Sequence, residues 1–186
     1  MGAKGRSVTL PDRSVGRLIG GMIMRRLIAT LVLLFGMTSA ANAAAAQDKL
    51  LDLRQPTVVA DALREAGYKA EVKTNTKGEP YIESSANGSS FTIEFYNCTG
   101  LVDCTSYQFA SWYKPDPVFT IAFANEWNLS KRFLKIAVDK DGNLNEYMDF
   151  TATGKTTYAN FADIVDWYQT MDASLAKFIE AHKSAK

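Results

Sequence analysis

The sequence predicts an α+β fold: an antiparallel sheet of about six strands with helices packed against it. Two patterns predict it. Apolar and polar side chains alternate over several short runs divided by turn residues, the period of half-buried strands. Three other stretches place apolar residues three and four apart, the period of helices with one buried side. Along the chain the order is helix, four strands, helix, two strands, helix. Consecutive strands with short connections pair antiparallel, so the first four form a meander.

The fold is expected to begin after a leader. Residues 1–43 read as an N-terminal extension and a cleaved signal peptide. Met24-Arg25-Arg26 is a short basic start, Leu27 to Met37 an apolar core, and Ala41-Asn42-Ala43 supplies the small residues a signal peptidase needs. Met1 and Met24 both remain available as the start. A spanning helix needs about 20 apolar residues, and Thr38, Ser39 and Asn42 end this run early, so no stable membrane anchor is expected after cleavage. No Cys follows to carry a lipid. The remaining residues 44–186 hold 15 basic and 19 acidic side chains, net −4. That is one domain, 55–182, behind a linker, 44–54. Its mild acidity excludes nucleic acid as a partner.

Pro56 suits a first helical turn and Gly67 a helix stop. Between them Val58, Val59, Ala62, Leu63 and Ala66 share one face. Asp48 to Leu53 either pairs with another segment or extends this element. Tyr68, Ala70 and Val72 alternate with charged residues as a strand. Gly78-Glu79-Pro80 turns the chain into Tyr81 to Ser85, and Asn87-Gly88 is a hairpin signal because both residues tolerate positive φ. Phe91, Ile93 and Phe95 mark the next strand, and Thr105 to Tyr113 the fourth. Asp116-Pro117 is expected to start the second helix, with Asp as cap and Pro in the first turn. Its residues are nearly all apolar through Ala124, which implies deep burial or two apolar sides. Phe133 to Asp139 and Leu144 to Ala152 read as strands joined at Asp141-Gly142. Thr156 is expected to cap the last helix. There Phe161, Ile164, Tyr168, Met171, Leu175 and Phe178 form a heptad seam. Packing on the sheet and a homodimer through this helix are both open.

Cys98 and Cys104 are the two cysteines, and in an exported chain that spacing reads as a disulfide. The closed loop holds seven residues and contributes about 2–3 kcal/mol in the chain-entropy model. Metal or redox chemistry is the alternative. A metal needs about four ligands, yet the only His is His182; a redox pair favours C-x-x-C, and five residues intervene here. No metal and no cofactor are expected.

Several motifs fail on inspection. Gly154-Lys155-Thr156 lacks the earlier Gly of a phosphate loop, since position 149 is Asp149. Asp139-Lys140-Asp141-Gly142 has its Gly too early for a calcium loop, and Phe150 stands where the closing acid belongs. Asn87-Gly88-Ser89, Asn97-Cys98-Thr99 and Asn128-Leu129-Ser130 match the short glycosylation acceptor. His182 lies in a Lys-rich terminus with no nucleophile spaced to it. No catalytic set emerges, although one sequence leaves a Ser–Lys or paired-carboxylate arrangement open.

The least ordinary polar residues are Asn125, Glu126, Trp127 and Asn128, followed by Arg132 and Phe133. A buried indole N–H needs an acceptor, and Asn at a helix end can satisfy orphan backbone groups. One reading is a polar clamp from helix to strand, with Arg132 available to Glu126 or to the helix-end carbonyls. The other is a partner-binding corner, since Trp and Arg are favoured at interfaces.

Asn125-Glu126-Trp127-Asn128 with Arg132-Phe133 resembles the signature of the YbjN-domain family, described as bacterial sensory-transduction regulators. Leu63, Gly67-Tyr68 and Gly78-Glu79-Pro80-Tyr81 are similar to that domain's opening. The Cys98 to Cys104 loop before Tyr107-Gln108-Phe109 resembles its exported branch, and Asp139, Asp141-Gly142 and the Trp167 to Phe178 helix fit downstream. The resemblance spans roughly residues 56 to 180. It implies a fold similar to type III secretion chaperones and no established catalytic activity. The expectation is therefore a non-enzymatic binding or regulatory module, periplasmic or secreted, acting through contacts with a protein partner. The alternatives are a periplasmic hydrolase with a carboxylate or Ser–Lys site, and a structural envelope protein.

Overall fold

The computed structural model describes residues 49–86 and 88–184. The expected signal peptide and Asn87 of the hairpin turn lie outside these residues. No helix among the described residues is long and apolar enough to cross a membrane.

The chain enters through β1 (Leu50–Leu51), which pairs antiparallel with β8 (Thr156–Thr157). Within the stretch expected as linker, Leu51 and Leu53 are therefore core residues. α1 (Pro56–Glu65) buries Val59, Ala62 and Leu63 of the expected face, with Ala60 beside them, while Val58 and Ala66 are half-buried. Arg64 closes its last turn and donates to Ala70 O at 2.6 Å, tying helix to sheet. β2 (Lys69–Thr74), β3 (Pro80–Ala86), β4 (Ser89–Tyr96) and β5 (Ser106–Tyr113) form the expected antiparallel meander.

The second helix, α2 (Ile121–Ser130), starts later than Asp116-Pro117 suggests. Its cap is Thr120, whose Oγ1 accepts from Phe123 N at 3.1 Å. Asp116 instead makes a preceding turn, its Oδ1 accepting from Val118 N at 2.9 Å. Both sites offer capping chemistry; the one that lets Phe123 and Trp127 face inward prevails. Deep burial fails on one side, for Leu129 is 89% exposed and Ile121 is exposed as well.

β6 (Lys135–Val138) is shorter than expected, because Phe133 adopts φ 61° and belongs to the turn. β7 (Leu144–Thr151) inserts between β6 and β5, giving the sheet order β2-β3-β4-β5-β7-β6. α3 (Tyr158–Ser184) runs across one face. Thr156 is not its cap: it sits in β8, and Thr157 Oγ1 accepts from Asn160 N at 3.2 Å.

The seam of α3 rests on its own sheet. Phe161, Tyr168 and Leu175 are buried, and the Tyr168 ring lies 5.0 Å from those of Phe91 and Phe109. Each such side chain contributes roughly 1.5–3 kcal/mol of burial. The opposite face of the sheet bears Thr92, Gln108, Trp112 and Tyr147 among its outward positions.

Candidate functional site

The tryptophan corner is built as a clamp. Trp127 is fully buried, and its Nε1–H donates to Leu134 O at 3.0 Å. Asn128 does two things for one strand residue: Nδ2 donates to Ile136 O at 2.9 Å, and Oδ1 accepts from Ile136 N at 3.0 Å. Lys135 Nζ then donates to Asn128 O and Lys131 O, which satisfies two helix-end carbonyls. Arg132 does not pair with Glu126. Its guanidinium lies 5.0 Å from the Phe133 ring, and Phe133 packs on Trp167 at 4.8 Å. Glu126 meets His182 at 3.2 Å, and Asn125 is exposed. His182 is thus held in the last turn of α3, where Phe178 O and then Glu126 raise its pKa. Of the six residues, Trp127 and Asn128 hold the helix to the strand. Asn125, Glu126, Arg132 and Phe133 are exposed, as is the neighbouring Leu129.

Cys98 and Cys104 form the expected disulfide. It closes the turn between β4 and β5, and Cys104 N donates to Arg54 O at 3.0 Å, joining the turn to the entry of α1.

A groove of about 1190 Å³ lies where the sheet splits. The β3–β4 ladder continues to Ala86 opposite Ser89, and the β5–β7 ladder to Tyr113 opposite Leu144. Between them the β4–β5 ladder stops at Thr92 opposite Ala110. Beyond that point the backbone ladder between the two strands ends, and Ser111 Oγ donates to Ser90 O at 3.1 Å. The opening is lined from the outward face by Gln108, Trp112, Asn145 and Tyr147, and from the inward face by Ser84, Phe91, Tyr113 and Glu146. Trp112 is 60% exposed.

Glu146 is the unusual member. It is 1% exposed and faces α3, where Tyr168 OH donates to its Oε1 at 2.9 Å. Asp172, one helical turn further along α3, accepts from Tyr113 OH at 3.2 Å. Burial and the Asp172 charge push Glu146 up to about 8, so it keeps its proton at neutral pH. Asp172 is also raised by burial, but Tyr113 and Glu146 oppose that shift. The pair therefore shares one proton, because two adjacent buried carboxylates cannot both ionise cheaply. Both tyrosines are raised too, by burial first.

Ser84 Oγ and Glu146 Oε2 are the buried side-chain oxygens without a hydrogen-bond partner among the described residues, and both residues line the groove. Orphaned buried polar atoms are uncommon and mark strain, a proton or an absent ligand. The shared proton accounts for Glu146. No described residue accounts for Ser84.

Sequence reasoning missed Ser84, Glu146 and Asp172. The signal was present in register: Leu144, Glu146, Met148 and Phe150 fall on one side of a strand, an acid in an apolar row. Asp172 likewise stands between Tyr168 and Leu175 on the buried stripe of α3. Among the described residues, no group of three His, Cys, Asp or Glu is placed to hold a metal ion.

The model of the YbjN family, "Putative bacterial sensory transduction regulator", covers residues 55–180. A search of curated proteins finds no match.

Proposed function

The chain belongs to the YbjN family, and from that premise we propose that it is a non-enzymatic sensory module working outside the cytoplasm, taking a ligand in its groove and meeting a protein partner at its corner. The groove is the observation that carries this reading. Its lining draws residues from both faces of the sheet and includes Ser84, whose Oγ has no hydrogen-bond partner among the described residues. The disulfide supports export, since such bonds persist in oxidising compartments. The basic start and apolar run at Met24 to Met37 support the same route.

For the partner, the supporting feature is the outward corner: Leu129 at the end of α2, then Phe133 packed at a tilt on Trp167. Scattered exposed apolar residues are ordinary, whereas a cluster with an aromatic pair and Arg132 is what interfaces favour. A second copy docking through α3 would have to use Trp167, because the inner stripe is already buried.

Two measurements test this. Fractionation with N-terminal sequencing should find the chain in the envelope, beginning at Ala44; a full-length chain in the cytosol defeats the export claim. A partner captured from envelope extract should be lost with Leu129→Lys and Trp167→Ala, each still folded by circular dichroism. Capture indifferent to both changes removes the corner as the contact.

The Glu146–Asp172 pair supports a second reading, a hydrolase. Two carboxyl groups of unlike protonation are what acid–base chemistry uses. One oxygen of each, however, is engaged: Glu146 Oε1 by Tyr168 and Asp172 Oδ1 by Tyr113. Turnover of an ester, glycoside or peptide by the wild type and its loss in Glu146→Gln would establish it; no turnover in such a screen would dismiss it.

A further inference from the structure

We propose that the groove binds a saccharide, stacking a sugar ring on Trp112 and engaging its hydroxyls with the serine and amide side chains of the split. The inference rests on the reading of the groove as a binding site and names its ligand class.

Four observations on the groove point the same way. First, Trp112 presents an exposed indole on a sheet face beside half-buried Tyr147. Ala110 pairs with Tyr147 and is also directly opposite Thr92, so a small side chain leaves a hollow between them. A flat ring beside a hollow suits the apolar face of a pyranose.

Second, the lining is dense in neutral hydrogen-bonding groups. Ser84, Ser85, Ser89, Ser90 and Ser111 surround the split, and Gln108 and Asn145 lie on the outward face. Hydroxyls and amides both donate and accept, which matches a polyol. Gln108 is already oriented for this: Nε2 donates to Asp149 Oδ1 at 2.7 Å, and Oε1 accepts from Tyr96 OH at 3.2 Å.

Third, the charge excludes other classes. The lining holds Glu71, Glu83 and Glu94 against Arg64 and Lys69, and Glu146 carries its proton at neutral pH. Arg64 is already bonded to Asp61 and Ala70 O. An anionic ligand such as a phosphate or nucleic acid would meet net repulsion. A lipid chain would find serines where it needs apolar walls. An extended peptide docks by pairing with a free strand edge. Here β4 and β5 are interior strands, and their unpaired stretch is only Ser89 to Phe91 facing Ser111 to Tyr113.

Fourth, Ser84 is a buried residue of the groove lining, and its Oγ has no hydrogen-bond partner among the described residues. A hydroxyl left without a hydrogen bond costs stability in the empty protein and gains it back when a ligand hydroxyl arrives. Ser84 therefore gives the idea a double readout.

The test uses the full chain, titrated by calorimetry with chitohexaose, maltohexaose and cellohexaose, and in a second arm with a defined library of nonapeptides. At least one hexasaccharide should bind. Trp112→Ala should weaken that binding by about tenfold or more, and Trp112→Phe should restore part of it. Ser84→Ala should weaken binding several-fold while holding or raising the Tm of the unliganded chain. No hexasaccharide binding, or binding unchanged by Trp112→Ala, overturns the saccharide proposal. In that event, peptides that bind in a Trp112-dependent way leave the groove as a binding site for another class. Failure of both arms removes the binding-site reading as well.

Discussion

The side-chain amide of Asn128 takes the place of a strand beside β6. One amide supplies both the acceptor for Ile136 N and the donor for Ile136 O, the pair of bonds a neighbouring strand would make. β6 is an edge strand, and an edge left open is a template for unwanted pairing. Asn128→Ala should destabilise the chain by about 1–3 kcal/mol, the cost of leaving such groups unpaired. Asn128→Asp should fall between, since it keeps the acceptor and loses the donor. Trp127→Ala should cost about 3–5 kcal/mol, a large buried side chain with its hydrogen bond. Arg132→Ala should stay within about 0.5 kcal/mol, because the guanidinium lies exposed over Phe133. Urea unfolding of the variants decides the matter: equal losses at Trp127 and Arg132 would deny the division of the corner into an inner clamp and an outer surface. The sequence offered the Trp, the Asn and the Arg as one set. It could not divide them, because only the fold says which side chains turn inward.

At the scale of elements, periodicity was a sound guide wherever a single face is buried. α1 and the meander β2 to β5 follow directly from the spacing of their apolar residues. Where two neighbouring residues offered the same chemistry, spacing could not choose. Asp116 and Thr120 both suit a cap, as do Thr156 and Thr157, and packing selected the later one each time. The insertion of β7 between β5 and β6 was also illegible, since it depends on a long-range connection through α2. The groove was hidden for a related reason: it exists because the β4–β5 ladder ends early, a property of two strands together.

The disulfide acts at this same scale. It closes the end of the β4–β5 pair opposite to the split, so the two strands are joined at Tyr96 and Ser106 and parted at Ser90 and Trp112. Cys98→Ser with Cys104→Ser should lower stability by about 2 kcal/mol. A reducing agent should shift the wild-type Tm to that of the double variant and leave the variant unmoved. Equal Tm values for oxidised and reduced wild type would show that the bond restrains nothing the ladder does not already hold.

Across the whole molecule, one acidic pair sits where the longest helix meets the sheet. Glu146 comes from β7 and Asp172 from α3, with Tyr168 and Tyr113 as their hydroxyl partners. The pair is stable while it holds a proton and repulsive once it loses it. Glu146 has an ordinary value of 4.5 and a folded value of about 8. The folded state then binds the proton more tightly than the unfolded chain. Its contribution is complete below about pH 4.5 and is lost as pH rises through about 8. His182 acts in the same sense, because its pKa is raised in the fold. Asp52 and Asp139 act in the opposite sense on the acid side, held below the usual carboxylate range chiefly by Arg54 and Asn143. The molecule should therefore be most stable at mildly acid pH, with Tm falling by several degrees from about pH 5 to about pH 9. Glu146→Gln keeps a neutral group in the same volume, so it should flatten the alkaline fall while leaving the acid limb in place. Tyr168→Phe should shift that fall to higher pH, since the hydroxyl favours the charged form of Glu146. Thermal melts of the three proteins across that range measure all of this directly. An alkaline limb that persists unchanged in Glu146→Gln would place the titrating group elsewhere and leave the pair as an ordinary hydrogen-bonded contact between α3 and the sheet.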